Sequence, residues 1–257
     1  MPHLLITGGA KRMGAAVARH FAARGWQVTV NYRSSADAAQ ALADELNATR
    51  PCCAIVQGDL ARRTGIDATF DGAVAAFGPV DLLLNNASTF NNDDIFGLDD
   101  ATFDDHLAVN LKAPIYLSER MAAQGGDGDR LIVNMLDNKL FALNPDFFSY
   151  TISKAALLSA THMMALRFDG RPRVCGIAPS VTLISGKQSQ ENFEKSARIN
   201  PLGRRVFPED IADCVQFMWD EKGQNGQVTA LDGGQTLLAL PRDVAFLVKE
   251  GRIDEEL

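Results

Sequence analysis

Tyr150 and Lys154 stand four residues apart, a spacing that puts them one turn apart on the same face of a helix. A phenol normally titrates near about pH 10. An ammonium about 4 Å away contributes roughly 4 kcal/mol at an effective dielectric near 20. Lys154 is therefore expected to lower the Tyr150 phenol toward a proton exchanger that works near neutrality. Such a pair also occurs by chance on half-buried helix faces, so the reading depends on its surroundings. Thirteen residues before Tyr150 lies Asp137, at the end of an apolar run, Leu131-Ile132-Val133-Asn134-Met135. Ionised, this carboxyl would oppose Lys154 by raising the phenol. Held protonated by a low-dielectric setting, it could instead hold or relay a proton toward Tyr150.

The elements that must position these groups alternate along the chain. His3–Thr7 is a short apolar run that enters Gly8-Gly9 directly. A helical pattern follows over Met13–Arg24, then an apolar run over Trp26–Val30. Strand, glycine-rich turn, helix and strand within about 30 residues form the unit that cradles a dinucleotide pyrophosphate on backbone N–H groups. Further strands are expected at Cys53–Gln57, Asp81–Leu84, Arg130–Asn134, Arg173–Ile177 and Gln227–Leu231. Helices are expected near Ala36–Leu46, Arg62–Phe77, Asp99–Gln124, Phe148–Asp169 and Pro208–Asp220. Seven apolar strands separated by helices predict an α/β Rossmann fold: a doubly wound, seven-stranded parallel sheet in a three-layer α/β/α sandwich. The whole chain, 1–257, reads as one NADP-binding domain, with an irregular section at about 180–200 and a tail from about 235 to 257. That tail is too apolar for free solvent and is expected to pack on its own domain or on a neighbouring subunit.

The end of the second strand selects the cofactor. An NAD site wants a carboxylate there for the ribose hydroxyls. This chain has Asn31-Tyr32-Arg33-Ser34, with no carboxylate before Asp37. Arg33 and Ser34 can instead grip a 2′-phosphate, with Lys11 and Arg12 adding positive charge beside the turn. NADPH is the expected cofactor.

With 46% hydrophobic and 22% charged residues, the chain can bury a core. A formal charge of −7 argues against nucleic acid and anionic membranes as partners. No run is long enough for a membrane span or signal segment, so a cytoplasmic, soluble protein is expected. Cys52, Cys53, Cys175 and Cys214 read as reduced thiols. His3, His20, His106 and His162 have no metal-ligand spacing, and no metal is expected. The acidic pairs at 93–94, 99–100 and 104–105 read as a solvated face with helix-start preference.

Taken together, these residues resemble the short-chain dehydrogenase/reductase superfamily. The resemblance rests on Thr7-Gly8, Gly58-Asp59-Leu60, Asn85-Asn86-Ala87, Asn110, Tyr150…Lys154, Ala178-Pro179 and Asp232-Gly233-Gly234, in order over residues 3 to about 236. It implies that Asp59 binds adenine, and that Tyr150 transfers the proton. It gives Lys154 the nicotinamide ribose and makes Asn110 the support of a water-mediated proton path. Gly8, Met13, Leu60, Asn86, Ala87, Ser88, Pro179 and Ser180 complete the implied cofactor site, and the section at about 180–200 is implied to be a substrate lid. Two departures narrow the likeness: Arg12 stands in the middle glycine's place, and Asp137 stands where a catalytic Ser is usual. Both resemble the pteridine reductases, as does Asn86-Ala87-Ser88-Thr89-Phe90, and bacterial dihydromonapterin reductases are similar.

That likeness implies a flat pterin stacked on Phe90, with Arg12, Ser88, Asp137 and Tyr150 at its edge. It also implies a homotetramer, in which the small residues Ala155, Ala156, Ser159 and Ala160 allow close approach. Two other functions stay open on the sequence. One is a carbonyl or 3-ketoacyl reductase, disfavoured because carbonyl polarisation prefers a neutral donor to Asp137. The other is a non-catalytic NADP-binding sensor, disfavoured by the intact Tyr150, Lys154 and Asn110.

Overall fold

The strands form where the sequence runs apolar without alternation, because both faces of the sheet are covered by helices. The computed structural model describes residues 1–125, 128–186 and 188–253. Its strands are β1 (His3–Ile6), β2 (Gln27–Tyr32), β3 (Cys53–Gln57), β4 (Leu82–Asn85), β5 (Leu131–Met135), β6 (Arg173–Pro179) and β7 (Val228–Leu231). All pair in parallel, in the order β3-β2-β1-β4-β5-β6-β7. The direction of winding reverses between β1 and β4, and a crevice opens there at the carboxyl ends of the strands, where ligands bind in open α/β sheets.

The helices are α1 (Arg12–Ala23), α2 (Ala36–Asn47), α3 (Arg63–Phe77), α4 (Asp100–Leu107), α5 (Ala113–Ala122), α6 (Phe148–Arg167), α7 (Gln190–Ser196), α8 (Pro208–Asp220) and α9 (Val244–Glu250). One sheet face packs Leu4, Ile6, Val28 and Val30 against Phe21 of α1, Leu42 of α2 and Val215 of α8. The other packs Leu5, Leu83 and Ile132 against Phe70 of α3 and Leu117 of α5. The four cysteines are free and buried, and burial pushes the Cys53 thiol up to about 12.

Two expectations change, and a third narrows to one of its alternatives. The single helix expected near Asp99–Gln124 is broken by a π-helical turn over Ala108–Lys112, which carries Asn110 inward. Such turns recur at functional sites because the extra residue re-aims a side chain. The acidic stretch is more than a solvated face. Asp94 and Asp99 cap short local helices, but Asp93 caps α6 from a distance, its Oδ1 accepting from Ser149 N at 3.0 Å. Finally, the apolar tail packs on its own chain. Leu240, Val244 and Leu247 gather with Val181 and Ile199 of the expected lid, and Asn192 of α7 donates to Ala245 O at 2.9 Å. Residue 187 of that lid and residues 254–257 of the tail lie outside the described residues.

Candidate functional site

The glycine turn after β1 is closed by side chains from two neighbouring strands. Gly8 N donates to Asn31 Oδ1 at 3.2 Å, and Asn86 Nδ2 donates to Thr7 O at 2.9 Å. Thr7 Oγ1 in turn accepts from Asn86 N and Ala87 N at 2.9 and 3.0 Å. The fit leaves no room for larger residues. A Cβ on Gly14 would lie 2.7 Å from Gly9 Cα, and Gly8 sits at φ +59° with Ala87 Cα 3.0 Å from where its Cβ would be. Arg12 also adopts a left-handed φ of 57°, rare for a residue with a side chain, and its guanidinium donates to Ile184 O at 2.7 Å. Strain of this kind is retained where the surroundings over-determine it. Here the strained arginine ties the glycine turn to the segment after β6.

This turn opens one cleft of about 650 Å³ that runs to the tail. Its walls hold every expected cofactor and substrate residue: Gly8, Lys11, Arg12, Met13, Arg33, Ser34, Asp59, Leu60, Asn86, Ala87, Ser88, Phe90, Asp137, Tyr150, Lys154, Pro179 and Ser180. Asn110 lies just beneath, fully buried. Its Oδ1 accepts from Thr89 N at 2.9 Å and lies 3.0 Å from Ser88 Oγ, while its Nδ2 donates to Thr89 O and Ser153 Oγ at 3.0 and 3.1 Å. The carboxamide is thus saturated by protein groups, and what it does directly is pin the Ser88–Phe90 segment to α6. At the other end, Lys11 and Arg33 are exposed cations whose side chains have no ion-pair partner among the described residues. A close-fitting backbone cradle followed by unpaired cations, with no carboxylate on Arg33's strand end, fits a dinucleotide carrying an extra phosphate.

At the end of the cleft expected to be catalytic, the Tyr150 hydroxyl donates to Asp137 Oδ2 at 2.8 Å. Asp137 Oδ1 accepts from Lys139 N at 2.9 Å. Burial, the largest influence, raises the Asp137 carboxyl above its ordinary range, while the Lys139 N–H and ammonium pull it back. Tyr150 is likewise raised well above an ordinary phenol, first by burial and then by the Asp137 charge. Lys154 is lowered to about 8, because burial outweighs the attraction of Asp137. Its Nζ donates to Met135 O at 2.7 Å and lies 5.8 Å from the Tyr150 ring centre. The expectation that Lys154 acidifies Tyr150 is therefore not met. Desolvation and the neighbouring carboxyl win, and both acids hold their protons more tightly than in water.

Phe90 stands at the cleft with 38% exposure. It stacks on Phe147 at 4.3 Å between centroids and meets the Tyr150 ring edge-on at 4.6 Å. Phe147, itself at a left-handed φ of 56°, stacks in turn on Phe246 of α9.

Several wall residues escaped sequence reasoning: Asn31, Lys139, Phe147, Arg242 and Asp243. Lys139 is two residues from Asp137, and Arg242-Asp243 is the charged break in the apolar tail; both signals were present in the sequence. His106 is a core residue. Its Nδ1 lies 2.6 Å from Ser149 Oγ, which donates a short hydrogen bond to Asp93, and its Nε2 accepts from Asn91 N at 3.2 Å.

Fold and site define a Rossmann oxidoreductase, and the chain belongs to the short-chain dehydrogenase/reductase family. The matching family model, described as enoyl-(acyl carrier protein) reductase, spans residues 8–236. Among solved structures, the chain is 38% identical to FolM alternative dihydrofolate reductase 1 from Brucella canis in complex with NADP. That likeness has a TM-score of 0.86 and covers 92% of this chain and 94% of the other. The Brucella suis protein of the same name, also in complex with NADP, matches at 38% identity and TM-score 0.86, over 92% and 95%. Relatives by sequence carry other names. One is 3beta-hydroxysteroid dehydrogenase 1 of Eggerthella lenta, 29% identical over 91% of this chain and 93% of that protein. Another is an NADPH-dependent aldehyde reductase-like chloroplastic protein of Arabidopsis thaliana, 28% identical over 90% and 92%.

Proposed function

We propose that this chain is an NADPH-dependent reductase of pteridines, of the dihydropterin, dihydromonapterin or dihydrofolate type. The observation that carries this reading is the 2.8 Å hydrogen bond from Tyr150 to Asp137, a partly buried acid behind the proton donor where a neutral hydroxyl would serve a carbonyl substrate. Phe90, half-exposed at the same wall, offers a π-face to a flat heterocycle. The names and NADP complexes of the two Brucella relatives point the same way.

NADPH, when bound, supplies the hydride. Lys11, Arg12, Arg33, Ser34, Asp59 and the Gly8–Gly14 turn would hold it, with Lys154 and Asn86 toward the nicotinamide end. The chain's own chemical contribution is the proton. Tyr150 Oη releases it to a ring nitrogen of the reduced C=N bond, and Asp137 Oδ2, already in contact, restores it. Burial raises the proton affinity of both groups, which favours the proton-loaded form of the pair. Two acids in direct contact titrate as a pair, so the alkaline limb of kcat belongs to both.

A carbonyl or enoyl reductase is the second reading, favoured by the description of the matching family model and by the steroid dehydrogenase relative. NADPH absorbance followed with dihydrobiopterin, with a 3-ketoacyl thioester and with neither separates the two, and turnover on the thioester alone would reject the pteridine reading. A purely NADP-binding sensor would oxidise NADPH with none.

We infer a cytoplasmic homotetramer. Supporting this, α6 exposes Ile152, Met163 and Leu166 at 41%, 69% and 82%, an apolar face that suits a neighbouring copy. Among the described residues no helix is long and apolar enough to cross a membrane. A monomer in size-exclusion chromatography would contradict the tetramer.

A further inference from the structure

The turn after β5 and the carboxyl-terminal segment meet inside the cleft through a buried ion pair. Lys139 Nζ lies 2.9 Å from Asp243 Oδ2, and the two side chains are 7% and 17% exposed. The ammonium also reaches Asn144 Oδ1 at 3.2 Å and Asp146 O at 3.4 Å, and sits 4.8 Å above the Phe147 ring. Asp243 Oδ1 is occupied as the cap of α9, accepting from Ala245 N at 3.0 Å. A second clasp lies beside the first. Asp146 accepts from Arg242 Nε at 2.9 Å and from Asp243 N at 2.6 Å. The Phe147–Phe246 stack completes the join.

Nothing about packing the tail demands a lysine at 139, since an apolar pair of similar volume generally serves stability as well as a buried ion pair. The Lys139 backbone N–H holds Asp137 Oδ1, so the ion pair that anchors the Lys139 side chain to the tail also anchors the turn that orients Asp137. We propose that Lys139 and Asp243 are positioning residues of the proton-delivery site, an ion pair through which the carboxyl-terminal segment fixes the orientation and charge balance of Asp137 and Tyr150. Tyr150 and Lys154 face Asp137 from α6, Lys139 from the turn after β5, and Asp243 from the tail. Arg242, also on the tail, pairs with Asp146 and Glu250. The Asp243 charge pushes both Asp137 and Tyr150 upward, and the Lys139 charge draws Asp137 down. Undocking the tail removes one member of the pair and leaves the other uncompensated beside the donor.

The inference rests on the pteridine reading only for the identity of the hydride acceptor, so its main test needs no substrate. The whole chain is labelled with [13Cγ]aspartate, and Asp137 is assigned by its loss in Asp137→Asn and titrated by NMR in wild type, Lys139→Met, Asp243→Asn and Asp243→Glu. Lys139→Met should raise the Asp137 midpoint and Asp243→Asn should lower it, each by about half a pH unit or more. Asp243→Glu, which keeps the charge, should return it toward wild type. Midpoints that stay fixed, or move in the same direction in both charge-removing variants, overturn the proposal. Either charge-removing variant is decisive by itself if the other fails to fold. In an enzyme that turns over a pterin, the alkaline limb of kcat must move with the midpoint, and a fixed limb also overturns it. A wild type that reduces no pterin defeats the pteridine reading and leaves the NMR comparison intact.

Discussion

Replacing Lys154 with Met should make the protein more stable at pH 7 and less stable than wild type by about pH 10.5. Lys154 is 2% exposed, and the hydrogen bond given to its ammonium is the one to Met135 O. Burial lowers it from 10.5 to about 8. At about 1.4 kcal/mol per unit, that shift costs the folded state roughly 3 kcal/mol wherever the unfolded chain carries the proton. The sign follows from proton counts. Between about pH 8 and 10.5 the unfolded chain binds more protons than the native one, so wild-type stability rises with pH across that window. Below it the full penalty applies. Loss of the bond to Met135 O returns about 1–3 kcal/mol of the gain, leaving a net advantage for Lys154→Met of about 1 kcal/mol at pH 7. For a chain of this size that corresponds to about 2–4 °C in Tm. Urea unfolding of both proteins from pH 6 to 10.5 is the assay. A difference in stability that stays constant from pH 7 to 10.5 refutes the reasoning, because it would mean the buried amine is not the titrating group.

Removing the Phe90 ring, as in Phe90→Ala, should raise KM for a pterin by about tenfold, the loss of one aromatic stacking contact; NADPH affinity by fluorescence quenching should not change. Arg33→Ala should weaken NADPH by about 10- to 100-fold in Kd, from a lost charge-assisted phosphate contact, with NADH little affected. Equal losses for both cofactors would remove Arg33 from the 2′-phosphate site. Gly14→Ala should all but abolish NADPH binding, because the new Cβ meets Gly9 Cα at 2.7 Å and Asn86 Nδ2 at 2.9 Å and must open the turn; isothermal titration checks this.

The strands and the cofactor turn were legible in the sequence because uninterrupted apolar runs and Gly8–Gly14 are local signals. What local pattern could not reveal was set by contacts between distant segments. The π-helical turn at Ala108–Lys112 breaks no visible periodicity, yet it buries Asn110 where Ser88, Thr89 and Ser153 converge. Asp93 read as one more surface carboxylate, although 56 residues away it caps α6. Spacing placed Tyr150 and Lys154 on one helix face correctly, but not the balance of burial against charge that governs their protonation. Burial depends on the whole fold, and it reversed the expected shift of Tyr150. Lys139 and Asp243, 104 residues apart, could be paired only once the tail was seen docked in the cleft.

Turnover after Asp137→Ala is the most direct test of the account. With NADPH and a dihydropteridine at saturation, kcat should fall by about 10²- to 10⁴-fold, the range for loss of general acid catalysis, with the Kd for NADPH unchanged. An Asp137→Ala enzyme that turns over as fast as wild type would contradict the claim that Asp137 stands behind Tyr150 in delivering the proton.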